Sequence, residues 1–280
     1  MRIDLHTHTT ASDGLLSPTR LIEEAVRRRV GVLAVTDHDT TDGVDEAMEA
    51  GRRLGVEVIP GVELNTDVAG SEVHILGYYI DHRREDLQRF LRERRGMRWE
   101  RARQMVVKLN GLGMAVDFGR VLALAHDGSV GRPHVARALI EAGHVASMEE
   151  AFRKYIGRNC PAYVERVRLT PFEAVAVIRQ ARGIPVMSHP GPAARNEMIP
   201  ALVEAGLEGI EAYYPEHSPG ETKYYLSLAE RYGLVVTGGS DFHGADIGGR
   251  VPLGSQYVPA EMLDRLKARA AAHGMLPAGS

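Results

Sequence analysis

Apolar and polar positions fall along the chain in two alternating rhythms. Short apolar runs at Ile3 to Leu5, Val32 to Thr36 and Val56 to Ile59 have the length of strands. Between them, over Pro18 to Arg29 and Gly43 to Leu54, apolar residues recur about every three to four positions, the spacing of amphipathic helices. Ser17 before Pro18 reads as a helix start, because a serine hydroxyl can accept a free first-turn amide and proline fits the first helical position. This alternation predicts a parallel sheet with helices packed outside it.

After the apolar stretch Val73 to Ile80 the rhythm changes. From Asp86 to about Gly157 the pattern is helical with no strand between, which predicts an inserted helical subdomain. Alternation returns with a helix over Pro171 to Arg182, a strand over Ile184 to Met187, a helix over Glu197 to Ala205 and a strand over Gly209 to Tyr213. A helix over Glu221 to Tyr232, a strand over Leu234 to Thr237 and a helix over Glu261 to Ala272 follow. The expected division is a sheet-bearing domain over 1–82 and 170–280 with an insert over 83–169.

Composition narrows the classes. With 280 residues, 44% of them hydrophobic, the chain can bury a full core and is not read as disordered. Its single cysteine, Cys160, can form neither an internal disulfide nor a thiolate metal site, which suits a reducing compartment. Any metal chemistry must use nitrogen and oxygen. The start MRIDLHTHTT lacks the apolar stretch of a signal peptide, and no window approaches the roughly 20 apolar residues of a membrane span, so a soluble cytoplasmic protein is expected. A net charge of -3 argues against broad nonspecific nucleic-acid binding. Arg83 to Arg103 is arginine-rich, and its interleaved glutamates favour a solvated helix face over a basic patch.

The histidines and carboxylates collect just past the strand ends. Strand one runs into His6-Thr7-His8, strand two into Asp37-His38-Asp39 and strand three into Gly61-Val62-Glu63; the Val73 run carries His74, Met187 precedes Ser188-His189, and Thr237 leads to Ser240-Asp241-Phe242-His243. In barrels and open α/β sheets that end is where sites are built. Residues two apart on an extended strand point the same way, so His6 with His8, and Asp241 with His243, can face one ion. Buried imidazoles and carboxylates without partners are costly, which favours metal binding over a core role. Donors of this kind suit zinc, manganese or iron, and Glu63 is the natural bridge between ions.

In this order, HTHTTASDG (6–14), TDHDTTDG (36–43), PGVE (60–63), HILGY (74–78), SHP (188–190) and GGSDFHG (238–244) resemble the polymerase and histidinol phosphatase (PHP) superfamily. The resemblance implies an α/β fold, a distorted seven-stranded (β/α) TIM-like barrel, here with the helical insert over its active-site mouth. It also implies two or three divalent ions. One would be held by His6, His8, Glu63 and Asp241, a second by Glu63, His74 and His189, and a third by Asp13, His38 and His243. Asp13 stands where relatives place a histidine. The insert and Gly131-Arg132-Pro133-His134 resemble the subgroup that hydrolyses 3',5'-nucleotide bisphosphates and trims short RNA from its 5' end. Arg132 and His134 are the expected phosphate contacts. Alternatively, or at the same time, Gly131-Arg132-Pro133 starts a helix.

The expected reaction is hydrolysis of the 3'-phosphate of a small nucleotide by a hydroxide bridging two metals. His217, or a metal-bound water, would protonate the leaving group, unless His217 is a loop histidine. Asp37 and Asp39 are expected to orient ligand imidazoles, or Asp37 to cap its turn. His82, His126, His144 and His273 are expected at the surface without partners, Cys160 idle, Met97 and Trp99 packed, and Tyr78, Tyr79, Tyr155 or Tyr163 available to stack one base. The alternatives are a 5'-3' exoribonuclease on short 5'-phosphorylated RNA, a histidinol-phosphatase-like enzyme, and a noncatalytic metal-stabilised module. Substrate apart, no obligate protein partner is expected.

Overall fold

The computed structural model describes residues 1–68, 71–126, 128–244 and 251–276. Its sheet has seven strands in sequence order. β1 (Arg2–Thr7), β2 (Val30–Val35) and the first residues of β3 (Glu57–Val68) pair in parallel. β4 (Ser71–Tyr78) runs antiparallel to β3 and to β5 (Ile184–Met187), and β5, β6 (Gly209–Tyr213) and β7 (Val235–Gly238) are again parallel.

Two expectations change here. The sheet is mixed rather than all parallel, and β3 continues well beyond Ile59. Pro60-Gly61 looks like a turn in sequence, but it is where β3 exchanges partners: Glu57 to Pro60 pair with β2, and Gly61 to Val68 pair with β4. The ladders end at β1 and β7, so among the described residues the sheet is open and no ladder closes a barrel. The edges meet just past β7, where the His8 amide donates to the Phe242 carbonyl at 2.9 Å. Asp4 also binds there, accepting from the Ser240 hydroxyl at 2.6 Å and the Gly254 amide at 2.7 Å.

The helices are α1 (Pro18–Arg28), α2 (Val44–Leu54), α3 (Glu85–Gly111), α4 (Phe118–Leu124), α5 (Arg132–Glu141) and α6 (Met148–Ala151), which enters a π-helical turn at Phe152–Ile156. Then come α7 (Pro171–Gln180), α8 (Pro190–Ala193), α9 (Ile199–Glu204), α10 (Pro219–Tyr232) and α11 (Ala260–Ala272). α1 starts as its sequence predicts, with Ser17 accepting the Arg20 amide.

Three apolar clusters hold these elements. β2 is apolar throughout because both its faces are covered: Val32 and Ala34 join the main cluster, while Leu33 and Val35 meet α1 and α2 in another. α3 spans two cores, placing Leu87 and Leu91 in the main cluster and Ala102, Val106 and Leu109 in the third, formed by residues between Ala102 and Ala162. Among the described residues, no helix is long and apolar enough to cross a membrane.

Candidate metal centre

Glu63 is the hub. It sits fully buried on β3, and its carboxylate lies 3.2 Å from His6 Nε2, 3.3 Å from His8 Nε2, 3.0 Å from His38 Nδ1, 2.8 Å from His74 Nδ1 and 3.3 Å from His189 Nε2. Asp241 adds a second carboxylate, 3.3 Å from His6 and 3.1 Å from His8. Asp13 is 3.3 Å from His243 and 3.8 Å from His38. All nine residues singled out from the sequence therefore meet in one cluster.

The backbone is bent to bring them there. His189 and Asp241 sit at φ 24° and 53°, as does Asp39 at 52°, conformations that side-chain-bearing residues adopt at a cost. At Gly239 a Cβ would lie 2.4 Å from the His6 nitrogen, so only glycine lets the strand after Thr237 pass so close to β1.

Residues 4–142 match the PHP domain. Over 257 residues the chain is 38% identical to a 3',5'-nucleoside bisphosphate phosphatase of Chromobacterium violaceum, an alignment covering 89% of each. The chain belongs to the PHP domain family. It is 37% identical to the 5'-3' exoribonuclease Rnm of Salmonella typhimurium, across 86% of this chain and 84% of that one. A metal-dependent phosphoesterase of Bifidobacterium adolescentis superposes with a TM-score of 0.88 at 30% identity, covering 95% of this chain and 96% of that one. Membership makes this PHP protein an enzyme, a hydrolase of phosphate esters.

Three ligand groups can be drawn in the cluster with donor atoms within 4.8 Å of one another: His6, His8, Glu63 and Asp241; His8, Asp13, His38 and His243; and His38, Glu63 and His74. The first is the set the resemblance implies. The second adds His8 to the expected trio. In the third His38 takes the place expected of His189, which reaches the group through its contact with Glu63.

The donor chemistry fits divalent cations. Both ring nitrogens of His8, His38 Nδ1 and Asp241 Oδ1 are buried without a hydrogen bond, although opposite charges stand about 3 Å away. His8, His38 and Asp241 each belong to a group whose donor atoms lie within 4.8 Å of one another, close enough to share an ion. Burial alone would push the Glu63 carboxyl up; His38, His6 and His74 outweigh it and hold Glu63 well below the usual range. Burial likewise pushes His8 down, and Asp241 with Glu63 outweighs it, bringing His8 to about 10.

The residues that orient these ligands differ from expectation. Asp37 and Asp39 touch no ligand imidazole. Asp37 accepts from the Thr9 amide at 2.8 Å, the Thr9 hydroxyl at 2.7 Å and the Ser12 hydroxyl at 2.6 Å, fixing the loop that carries Asp13. Asp39 accepts from Arg98 at 2.6 Å. The carboxylate behind an imidazole is instead Glu211 on β6, fully buried, 3.1 Å from His6 Nδ1 and 2.8 Å from the His189 amide. Asn65, itself bound by Arg98, holds His74 Nε2 at 2.7 Å, and the Tyr214 hydroxyl donates to Asp241 at 3.2 Å. Glu211 stands singly in the strand Gly209 to Tyr213, with nothing in the sequence to mark it as facing the site.

Several other expectations are corrected. His217 is 9% exposed and both its nitrogens are spent on backbone, Nδ1 donating to the Ala212 carbonyl at 3.0 Å and Nε2 accepting the Gly191 amide at 3.1 Å; it braces the loop after His189. His134 caps α5 through its contact with the Gly131 amide at 2.9 Å, and burial pushes it down to about 4, so it is a neutral acceptor there rather than a cationic phosphate donor. Arg132 pairs with Glu72 at 2.7 Å. The arginine-rich segment is no simple solvated face: Arg94 is buried, and Arg95, Arg98 and Arg101 turn inward to Thr40, Asp39 and the Val164 carbonyl. His82, His144 and His273 do find partners, in Asp45, the Ala115 carbonyl and Glu208. Tyr78 and Tyr79 are buried and cannot stack a base, whereas Met97 and Trp99 are 39% and 43% exposed.

Proposed function

We propose that this enzyme removes the 3'-phosphate from nucleoside 3',5'-bisphosphates, with two or three divalent cations (manganese, zinc or iron) held by His6, His8, Asp13, His38, Glu63, His74, His189, Asp241 and His243. Its similarity to the Chromobacterium violaceum phosphatase along nearly the whole chain supports the reading. Bound in this cluster, such cations supply a Lewis acid for the phosphoryl oxygens and a water acidic enough to attack near neutral pH. The chain's own residues place that chemistry. Glu63 and Asp241 offer the shared carboxylates, Glu211 keeps His6 turned to the centre, and Arg98 fixes Asn65 against His74.

The observation that supports a second phosphate is the meeting of Arg98, Arg101 and Arg132 around one small cavity beside the start of α5, of about 10 Å³ as it stands, room for about one water. Arg101 Nη2 is buried there without a partner, a forked donor with an unspent hydrogen bond. Arg98 and Arg132 reach this cavity from residues that touch the site, Asn65 and Glu72, which supports reading 83–169 as an insert over the active-site mouth. The same inward arginines favour a second reading, a 5'-3' exoribonuclease on short 5'-phosphorylated RNA.

Product analysis separates the two. Incubated with manganese, the protein is expected to convert adenosine 3',5'-bisphosphate to AMP and phosphate. Stepwise release of mononucleotides from 5'-phosphorylated RNA, with the bisphosphate left intact, would replace the first reading by the second. Loss of neither substrate would sink both.

A further inference from the structure

A second cavity, of about 330 Å³, opens between α3 and the end of α4 and shares Val130 with the arginine cavity. Arg95, Gly96, Trp99, Leu122, Ala125 and Val130 line it. It adjoins the metal cluster's own loops: Arg95 donates to Thr40 at 2.9 Å, two residues past His38, and the Ser129 amide donates to Ala11 at 2.8 Å, two residues before Asp13.

Three features of this cavity point to a ligand. Trp99 leaves 43% of its surface to solvent, and its indole is held edge-on by Phe118 at 5.1 Å with the rings at 82°. Gly96 stands mid-helix, where glycine is a poor helix former, yet no atom lies within 4 Å of where its Cβ would be. The space it leaves is filled by none of the described residues. The lining is aliphatic and aromatic with one guanidinium at its rim, and its volume is in the range of a small-ligand site, about 300 to 1,000 Å³.

We propose that this cavity seats the nucleobase of the substrate, stacked on the Trp99 indole, while the neighbouring arginines, Arg98, Arg101 and Arg132, bind the nonreacting phosphate. The inference rests on the nucleotide reading above and deepens it. Trp99 follows Arg98 directly on α3, so base and phosphate would be gripped from one helix. A π-face accepts any base, which makes the site selective for nucleotides over other phosphate esters rather than for one base.

Trp99 is the only tryptophan of the chain, so its fluorescence reports on this cavity alone. In the manganese-loaded protein, AMP is expected to quench it saturably, and ribose 5-phosphate or inorganic phosphate at the same concentration is not. Gly96→Leu fills the cavity with a better helix former. It is expected to raise KM for adenosine 3',5'-bisphosphate about 10-fold with kcat within about twofold, and to cut the preference for that substrate over a base-free ribose ester by the same factor. Equal quenching by AMP and ribose 5-phosphate would overturn the proposal, as would an unchanged KM in a Gly96→Leu protein whose circular dichroism matches the parent. Quenching by AMP in a protein that turns over neither the bisphosphate nor RNA would leave the base site standing and remove the functional reading instead.

Discussion

Replacing Glu211 with glutamine keeps the side chain's volume and removes one acceptor. In the native arrangement Oε2 accepts the His189 amide at 2.8 Å and the Ser188 hydroxyl at 3.2 Å, and Oε1 lies 3.1 Å from His6 Nδ1. A carboxylate accepts at every lone pair and satisfies all three together; glutamine has one oxygen. If that oxygen faces the His189 amide, the new NH2 opposes His6 Nδ1, and the two donors repel unless the imidazole proton moves to Nε2. That nitrogen faces Glu63 at 3.2 Å and Asp241 at 3.3 Å, and once protonated it has no lone pair for a cation. If the oxygen faces His6 instead, the His189 amide meets the NH2, and a buried donor left unpaired costs about 1 to 3 kcal/mol. Either way metal binding suffers, by about 10- to 100-fold for loss of such an orienting carboxylate, which is about 1.4 to 2.7 kcal/mol. Dialysis against graded manganese, with bound metal measured by mass spectrometry and phosphate release followed in parallel, reads this directly. A Glu211→Gln protein with native manganese affinity and native turnover would refute the claim that Glu211 sets the His6 tautomer.

Other expectations follow from the same geometry. Glu63→Gln removes the carboxylate shared by five imidazoles and is expected to lower turnover by at least about 1,000-fold, as removal of a key transition-state contact does, with bound metal falling alongside. Because His8 is brought to about 10 from 6.5 in the metal-free protein, its contribution to stability is full below pH 6.5 and lost as the pH rises toward 10, so the melting temperature of chelated protein should fall across that window. The same proton must leave when a cation arrives, so manganese binding should release protons, seen by calorimetry in two buffers of different ionisation heat. Arg98→Ala strands the buried Asp39 carboxylate and is expected to cost about 3 kcal/mol in urea unfolding, largely restored by adding Asp39→Asn. His217→Gln should lower the melting temperature yet leave both limbs of the pH-rate profile in place; loss of the alkaline limb would return His217 to the chemistry.

The ligand-bearing segments were legible because each interrupts an apolar strand with a run of polar residues that no core would tolerate. Whether a charged residue faces the site was not legible where it stood singly. Glu211 inside Gly209 to Tyr213 reads like any alternating polar position, and only the fold shows it buried against His6. Arg94, Arg95, Arg98 and Arg101 recur at helical spacing among glutamates, a pattern shared by exposed and buried faces alike. Which face is covered depends on where the chain between Ala162 and Thr170 lies, as when Arg94 donates to the Val167 carbonyl at 3.2 Å and Arg101 to that of Val164 at 2.8 Å. The reversal of β4 left no mark in the residues, since an apolar run suits either strand direction.

That reversal explains why the centre has one hub and why it is tied to the arginines of the helical stretch. In a sheet of parallel strands, ligands come from the C-terminal ends alone. Here β3 is paired with β4 on past Glu63, so Asn65 stands opposite His74 and Asp67 opposite Glu72, raising a two-stranded wall beyond the buried carboxylate. The wall is acidic where it meets the arginines of the helical stretch: Asp67 lies 3.5 Å from both Arg158 and Arg166, and Glu72 lies 2.7 Å from Arg132 and 3.3 Å from Arg166. Any anion bound by Arg132 would compete with Glu72 for it, and Glu72 Oε2 is 3.8 Å from His74 Nε2. Glu72 thus stands between the arginines and an imidazole that faces Glu63.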